Sequence, residues 1–149
     1  MIKTESARTE HLDDIAKLEK LCFSTPWTEG QLLSEIESEY GCIFICRDTG
    51  YAIMHMAGDQ AELYRIATSP DKRGQGIGDM LMKSCVQWAK EQNAESIFLE
   101  VRAGNVPAIS LYKKHGFENI GIRKKYYTAP TEDAVIMVRK VTDNDNSCS

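Results

Sequence analysis

A chain of 149 residues with 42% hydrophobic and 27% charged residues fits one domain with one ordinary core, and has the balance of a soluble globular protein. Its formal charge of −4 argues against broad electrostatic attraction to nucleic acid, and tolerates a basic peptide or amine as partner. No apolar run reaches the length of a membrane span and residues 1–8 are too mixed and polar for a signal peptide, so a cytoplasmic setting without a membrane partner is expected.

Residues 2–8 predict a first strand, and Thr9 is placed to cap a helix with the apolar stripe Leu12, Ile15, Ala16, Leu18 and Cys22. A turn at Ser24-Thr25-Pro26-Trp27 follows. Thr28 and Gln31 then form a capping box that opens a second helix, with Leu32, Leu33 and Ile36 facing inward. Residues 40–47 and 51–57 predict two strands joined by a turn at Asp48-Thr49-Gly50, and residues 62–68 a third, ended by Ser69-Pro70-Asp71. Ile77, Met80, Leu81, Ser84, Cys85 and Trp88 recur at helical spacing, with Lys83, Gln87 and Glu91 on the opposite face. Residues 96–102 predict a strand. Asn105 can cap a short helix carrying Ala108, Leu111 and Tyr112, closed by Gly116. Two last strands, 117–123 and 134–139, flank a loop at 124–133, and residues 143–149 predict a polar, disordered tail behind a single domain of residues 1–142. Interleaved strands and helices imply an α/β or α+β layered fold. The late strand pair adds antiparallel pairing, and hence a mixed sheet.

The five cysteines, Cys22, Cys42, Cys46, Cys85 and Cys148, are odd in number and contain no C-x-x-C pair, so buried reduced thiols are expected rather than a metal site. The strongest chemical signal is Arg73-Gly74-Gln75-Gly76-Ile77-Gly78, between a strand and the best-marked helix. Closely spaced glycines let the backbone bend tightly and bring its N–H groups to a ligand. The free N–H groups and positive dipole end of a helix start favour an anion, and Arg73 can add a charge-assisted contact. The spacing is wrong for a dinucleotide-binding G-x-G-x-x-G loop and lacks the G-K-S/T of a P-loop, while a plain glycine-rich turn remains the structural alternative.

This pattern resembles the GNAT superfamily of N-acetyltransferases. Arg73-x-x-Gly76-x-Gly78 matches its Q/R-x-x-G-x-G/A pyrophosphate loop. The order strand, loop, long helix, strand, capping Asn105, short helix and Leu111-Tyr112-x-x-x-Gly116-Phe117 is also that family's, over roughly residues 2–140. Within the family, residues 98–102, Pro26-Trp27, Arg123-x-x-Tyr126-Tyr127 and Glu132-Asp133-Ala134 resemble the bacterial members that acetylate the N-terminal alanine of ribosomal proteins. Arg65 departs from their pattern, in which a neutral Asn stands at that place, and leaves acceptor selectivity open.

The resemblance implies a mixed, mostly antiparallel sheet of about seven strands flanked by about four helices, with acetyl-CoA as cosubstrate and no metal. It implies that the backbone of Ile66, Ala67 and Thr68 borders the pantetheine arm and acetyl carbonyl. Arg73, Gly74, Gln75, Gly76, Ile77, Gly78 and Asp79 would hold the pyrophosphate, and Asn105 would contact the CoA arm. Glu100 lines up with a general base and Tyr112 with a general acid, and Tyr126, Tyr127 and Trp27 would flank the acceptor. Without the resemblance, Glu100 reads as half of a surface ion pair with Arg102, Tyr112 and the other aromatics as core or half-buried side chains, and Asn105 as a plain cap. His11, His55 and His115 suggest no role. The implied acceptor is the N-terminal α-amine of a protein, a ribosomal protein beginning with Ala or Ser. A small-molecule amine and a non-catalytic acyl-CoA sensor are the alternatives. An α-amine with pKa near 7.7–8.0 is roughly a fifth to a third neutral at pH 7.4, against about one in a thousand for lysine, so a single carboxylate base suits it.

Overall fold

Apolar stretches of strand period alternate with stretches of helix period, and the computed structural model, which describes residues 3–141, resolves them into seven strands and four helices. The strands are β1 (Glu5–Ser6), β2 (Gly41–Cys46), β3 (Gly50–Ala57), β4 (Gln60–Thr68), β5 (Ser96–Arg102), β6 (Glu118–Tyr127) and β7 (Glu132–Lys140). The helices are α1 (Leu12–Cys22), α2 (Glu29–Glu37), α3 (Ile77–Glu91) and α4 (Val106–Lys114). All seven strands form one sheet in the order β1-β2-β3-β4-β5-β7-β6. Every neighbouring pair is antiparallel except β4 and β5, as the α3 crossover between them requires. This is the mixed, mostly antiparallel α/β architecture expected from the sequence.

Strand alternation divides the core into two layers. Ile43, Ile45, Tyr51, Ile53 and Ala67 pack against α1 and α2 through Ile15, Leu18 and Leu32. Ala52, Met54, Leu63, Ile97, Leu99 and Val101 face the other way, onto Ile77, Leu81 and Cys85 of α3 and Tyr112 of α4. The expected caps of α2 and α4 form: Thr28 Oγ1 accepts from Gln31 N at 3.1 Å, and Asn105 Oδ1 from Ala108 N at 3.3 Å.

Three expectations need correction. β1 spans only Glu5–Ser6, because only that stretch meets β2 in register. Thr9 does not cap α1; it opens a 3-10 turn, Thr9–His11, in which Arg8 N donates to His11 Nδ1 at 2.8 Å. The loop expected at 124–133 is mostly strand, since pairing with β7 continues from Arg123↔Ala134 to Tyr127↔Glu132. β6 is an edge strand, exposed along most of its length, so its run Arg123-Lys124-Lys125 needs no apolar alternation to form. The tail at 143–149 lies outside the described residues.

Two irregularities in β4 prepare the site. Its parallel pairing with β5 runs only from Gln60↔Ser96 to Glu62↔Phe98, although β4 continues to Thr68 and β5 to Arg102. On its other edge the register slips, with Ile53 opposite Arg65 and Met54 opposite Leu63, so Tyr64 is an inserted residue in a β-bulge. Beyond Glu62, β4 follows β3 and parts from β5.

The start of β3 also approaches α3 closely. A Cβ added at Gly50 would lie 2.5 Å from the Ala67 carbonyl oxygen and 3.1 Å from Ile77 Cγ2. Gly50→Ala should therefore cost about 1–3 kcal/mol through overpacking against backbone, read as a lower urea midpoint at unchanged slope. A variant within about 0.5 kcal/mol of the parent would show that this approach is not tight.

Candidate active site

The loop after β4 is built around a sharp change of direction. Ser69 N donates to Thr49 O at 2.7 Å and Ser69 Oγ to Asp71 Oδ1 at 2.5 Å, and Arg73 Nε donates to Thr68 O at 3.3 Å. Gly74 and Gly76 both have φ of +80°, and a Cβ at either would meet nothing within 4 Å. Glycine is required there by the left-handed backbone, and the space in front of the loop is open. The first bond of α3 runs from Met80 N to Gly76 O at 3.1 Å, so the N–H groups of Ile77, Gly78 and Asp79 precede any helical acceptor. With Arg73 and Gln75 exposed beside them, this is an open, electropositive helix start suited to a pyrophosphate.

Three residues of the predicted loop set turn their side-chain positions elsewhere: Ile77 into the core, and Gly78 and Asp79 toward α4. A Cβ on Gly78 would lie 3.1 Å from Leu111 Cδ2, so its missing side chain lets α4 seat against α3. The Asp79 carboxylate accepts from His115 Nε2 at 2.8 Å and from Lys114 Nζ at 3.1 Å, and these bonds hold it below the usual carboxylate range. His115, given no role by the sequence, thus ties the end of α4 to the first turn of α3.

Ile66, Ala67 and Thr68 close β4 on the stretch already parted from β5. Their β3 edge is paired, to Ala52, Tyr51 and Gly50, and their other edge faces the gap. Asn105 is exposed at the rim, and its side-chain oxygen caps α4.

Glu100 stands on β5 beyond its last pair with β4, and Tyr112 packs against the opposite face of the sheet. Leu99 and Val101 belong to the α3–α4 layer with Tyr112, and alternation puts Glu100 on the α1–α2 face. Its side chain is 17% exposed, with Oε2 2.9 Å from Arg123 Nε as an ion pair outside hydrogen-bond alignment. The pairing with Arg102 anticipated from i, i+2 spacing does not form. Arg102 is drawn to Glu132 at 3.2 Å and to the carbonyls of Thr128 and Pro130 at 3.0 and 2.9 Å. Tyr112 is 7% exposed, its ring centroid 5.8 Å from that of Phe117, and burial pushes its phenol above the ordinary range, so it is protonated at neutral pH.

Tyr127 is linked to both Glu100 and Tyr112 through charge. Its phenol is pushed up to about 12, first by burial and then by the negative charge of Glu100, and it in turn raises Tyr112. Arg102 sits 4.5 Å over the Tyr127 ring, and Tyr126 packs edge-on against it at 5.1 Å. Trp27 lies 5.8 Å from Tyr64, on the α1–α2 face.

Residue pattern alone singles out neither Glu62 nor His55. Glu62 lies near Glu100, and its carboxyl is raised by burial first and by Glu100 second. His55 is opposite Glu62 in register, stacks on Tyr64 at 5.4 Å and meets Glu35 at 2.9 Å. The available signal was the polar face of β4 at Glu62, which alternation places beside Glu100 once the strand order is known. Among the described residues no group of His, Cys, Asp and Glu is arranged to hold a metal ion, and no helix is long and apolar enough to cross a membrane.

The family model for GNAT acetyltransferases matches residues 12–117, which include the glycine loop, β4, β5 and α4. The chain belongs to the GNAT acetyltransferase family. A Bacillus subtilis (strain 168) protein, provisionally named ribosomal protein bS18-alanine N-acetyltransferase, is 38% identical over 149 residues, covering 91% of this chain and 96% of that protein. The crystal structure of the ribosomal-protein-S18-alanine N-acetyltransferase from Escherichia coli is 31% identical, covers 95% of each chain and superposes with a TM-score of 0.86. A chain of the NatC complex bound to Gag peptide and CoA is 19% identical, covers 95% of this chain and 99% of that one, and shares the fold with a TM-score of 0.82. The family uses acetyl-CoA, and the open glycine loop above the unpaired β4 edge fits that cosubstrate.

The Asp79 bonds give a pH-dependent test of how the loop is braced. A carboxylate whose folded pKa lies below its unfolded value adds stability in full above about pH 3.9, and loses it as the pH falls through the folded value. Asp79→Asn should therefore lower Tm at neutral pH and have little effect near about pH 2. An equal loss at both pH values would show that the ionised carboxylate is not the brace.

Proposed function

We propose that this chain transfers an acetyl group from acetyl-CoA to the N-terminal α-amine of a protein in the cytoplasm, the acceptor being a ribosomal protein beginning with Ala or Ser. The observation that carries this reading is the gap between β4 and β5. A carboxylate, Glu100, borders it on one sheet face, and a protonated phenol, Tyr112, lies on the other face together with the open helix start of α3. The similarity to the named bS18-alanine N-acetyltransferases supplies the acceptor class.

On this reading, Arg73, Gly74, Gln75, Gly76 and the backbone of Ile77, Gly78 and Asp79 hold the pyrophosphate. The backbone of Ile66, Ala67 and Thr68 lies along the arm, and Asn105 borders it while capping α4. Acetyl-CoA supplies the activated thioester. Glu100 accepts the proton that the ammonium must lose before it attacks, directly or through water; as the C–S bond breaks Tyr112 gives its proton to the departing sulfur, and the second proton shed by the acylated nitrogen restores the phenol through water. Backbone N–H groups at the end of β4 are positioned to stabilise the oxyanion. The open groove of about 480 Å³ along α2, lined by Trp27, Thr28 and Glu35 among others, offers a path for the rest of the peptide.

Steady-state assays with peptides beginning Ala or Ser, against free amines, test the acceptor class. Turnover of free amines alone would replace it with a small-molecule acceptor, and no turnover with any amine would favour an acyl-CoA sensor. Glu100→Gln keeps the shape and removes the base, so the rate at neutral pH should fall by roughly 10²–10⁴ and recover in part as rising pH deprotonates the amine. Loss of the Arg123 ion pair alone would leave the pH profile unchanged, so matching profiles sink the base assignment.

Tyr112→Phe should lower kcat by roughly tenfold or more with the acetyl-CoA KM nearly constant, because the hydroxyl acts as the thiolate leaves. An unaltered kcat, with chemistry shown to limit turnover, would make Tyr112 a packing residue.

A further inference from the structure

Glu19 is the most deeply buried carboxylate among the described residues, with no exposed surface. Such a group is costly unless charge-paired and hydrogen-bonded. Its Oε1 accepts from the Tyr51 hydroxyl, its Oε2 accepts from the backbone N–H of Trp27 at 2.7 Å, and Arg65 Nε lies 3.5 Å from Oε1. Glu19 is thus joined at once to α1, β3, β4 and the segment between α1 and α2.

Arg65 grips that same segment. Its Nη2 donates to Thr25 O at 3.2 Å, and its guanidinium carbon lies 4.0 Å over the Phe23 ring and 5.7 Å from the Trp27 ring. The grip depends on the bulge. In a regular strand Tyr64 and Arg65 would point to opposite faces; with Tyr64 the inserted residue and Arg65 opposite Ile53, both face α1 and α2. Tyr64 meets Trp27 and His55, so residues 23–28 form a wall whose other parts are Tyr64, His55 and Glu35. Glu62 and Glu100 share this face.

We propose that Arg65 is a positioning residue for the acceptor: it clamps residues 23–28 to the buried Glu19 carboxylate and so fixes the wall against which the incoming amine-bearing chain lies. The proposal rests on the reading that the α1–α2 face receives the acceptor. Arg65 touches neither substrate; it acts through Phe23, Thr25 and Trp27. Its planar fork serves several partners at once, which a lysine cannot do: an ammonium can balance the Glu19 charge but cannot also stack on Phe23 and hold the Thr25 carbonyl.

Arg65→Gln and Arg65→Lys separate charge balance from positioning. Both should raise the acceptor KM by about tenfold while the acetyl-CoA KM stays within about twofold. Arg65→Lys should keep most of the thermal stability that Arg65→Gln loses. Amide hydrogen exchange at residues 23–28, with the Trp27 N–H as direct reporter, should quicken in both variants while α3 and β5 are unchanged. If Arg65→Gln fails to fold, Arg65→Lys and the charge-free Glu19→Gln/Arg65→Gln pair carry the comparison. Folded variants with an unchanged acceptor KM, or with both KM values rising together, overturn the proposal. If the wild type acetylates only free amines, the peptide reading fails by itself, and the Arg65 comparison is decided on the KM for that amine.

Discussion

The early end of pairing between β4 and β5 is the constraint on which the rest of the site depends. Two neighbouring parallel strands would ordinarily satisfy each other's backbone groups along their length. Here they do so at three register positions and then separate, so the last residues of β4 turn an edge unpaired with β5 toward a gap. The bulge at Tyr64 belongs to the same distortion: an extra residue bends the strand and increases its twist. One backbone irregularity thereby opens the gap and re-aims the side chains beside it.

The sheet then separates the chemistry by face. The glycine loop, α3 and Tyr112 lie on one side; Glu62, Glu100, Tyr64 and Arg65 lie on the other. On the proposed reading the two substrates approach from opposite sides and meet only at the gap, so the anion-binding surface and the carboxylates do not compete for the same space. Burial acts differently on the two groups. The apolar surroundings of Tyr112 favour the neutral phenol that a proton donor needs, while Glu100 keeps a cation, Arg123, beside it. The small Ala134 separates Arg123 from Arg102 in the sheet, and Arg123 reaches across it from the edge strand.

Features set by local backbone demand were legible in the sequence. The glycines before α3, the Thr28–Gln31 box and the Asn105 cap each satisfy nearby N–H groups or an unusual φ, and residue type alone reports such needs. The opposite held where a third element decides the outcome. Arg102 two residues from Glu100 looks like its partner, yet Glu132, brought in by β7, takes Arg102. The Glu19–Arg65 pair spans 46 positions and needs a bulge that strict alternation does not announce. The length of β6 was hidden for a related reason: a solvated edge strand is held by backbone pairing, and its side chains carry little pattern.

The seating of Leu111 on Gly78, together with the grip of Lys114 and His115 on Asp79, fastens α4 to the first turn of α3 at two points one helical turn apart. Tyr112 sits between those fastenings. The phenol and the helix start are therefore linked through α4 to the same turn of α3. A substitution that unseats either fastening therefore bears on the placement of Tyr112 as well as on the first turn of α3.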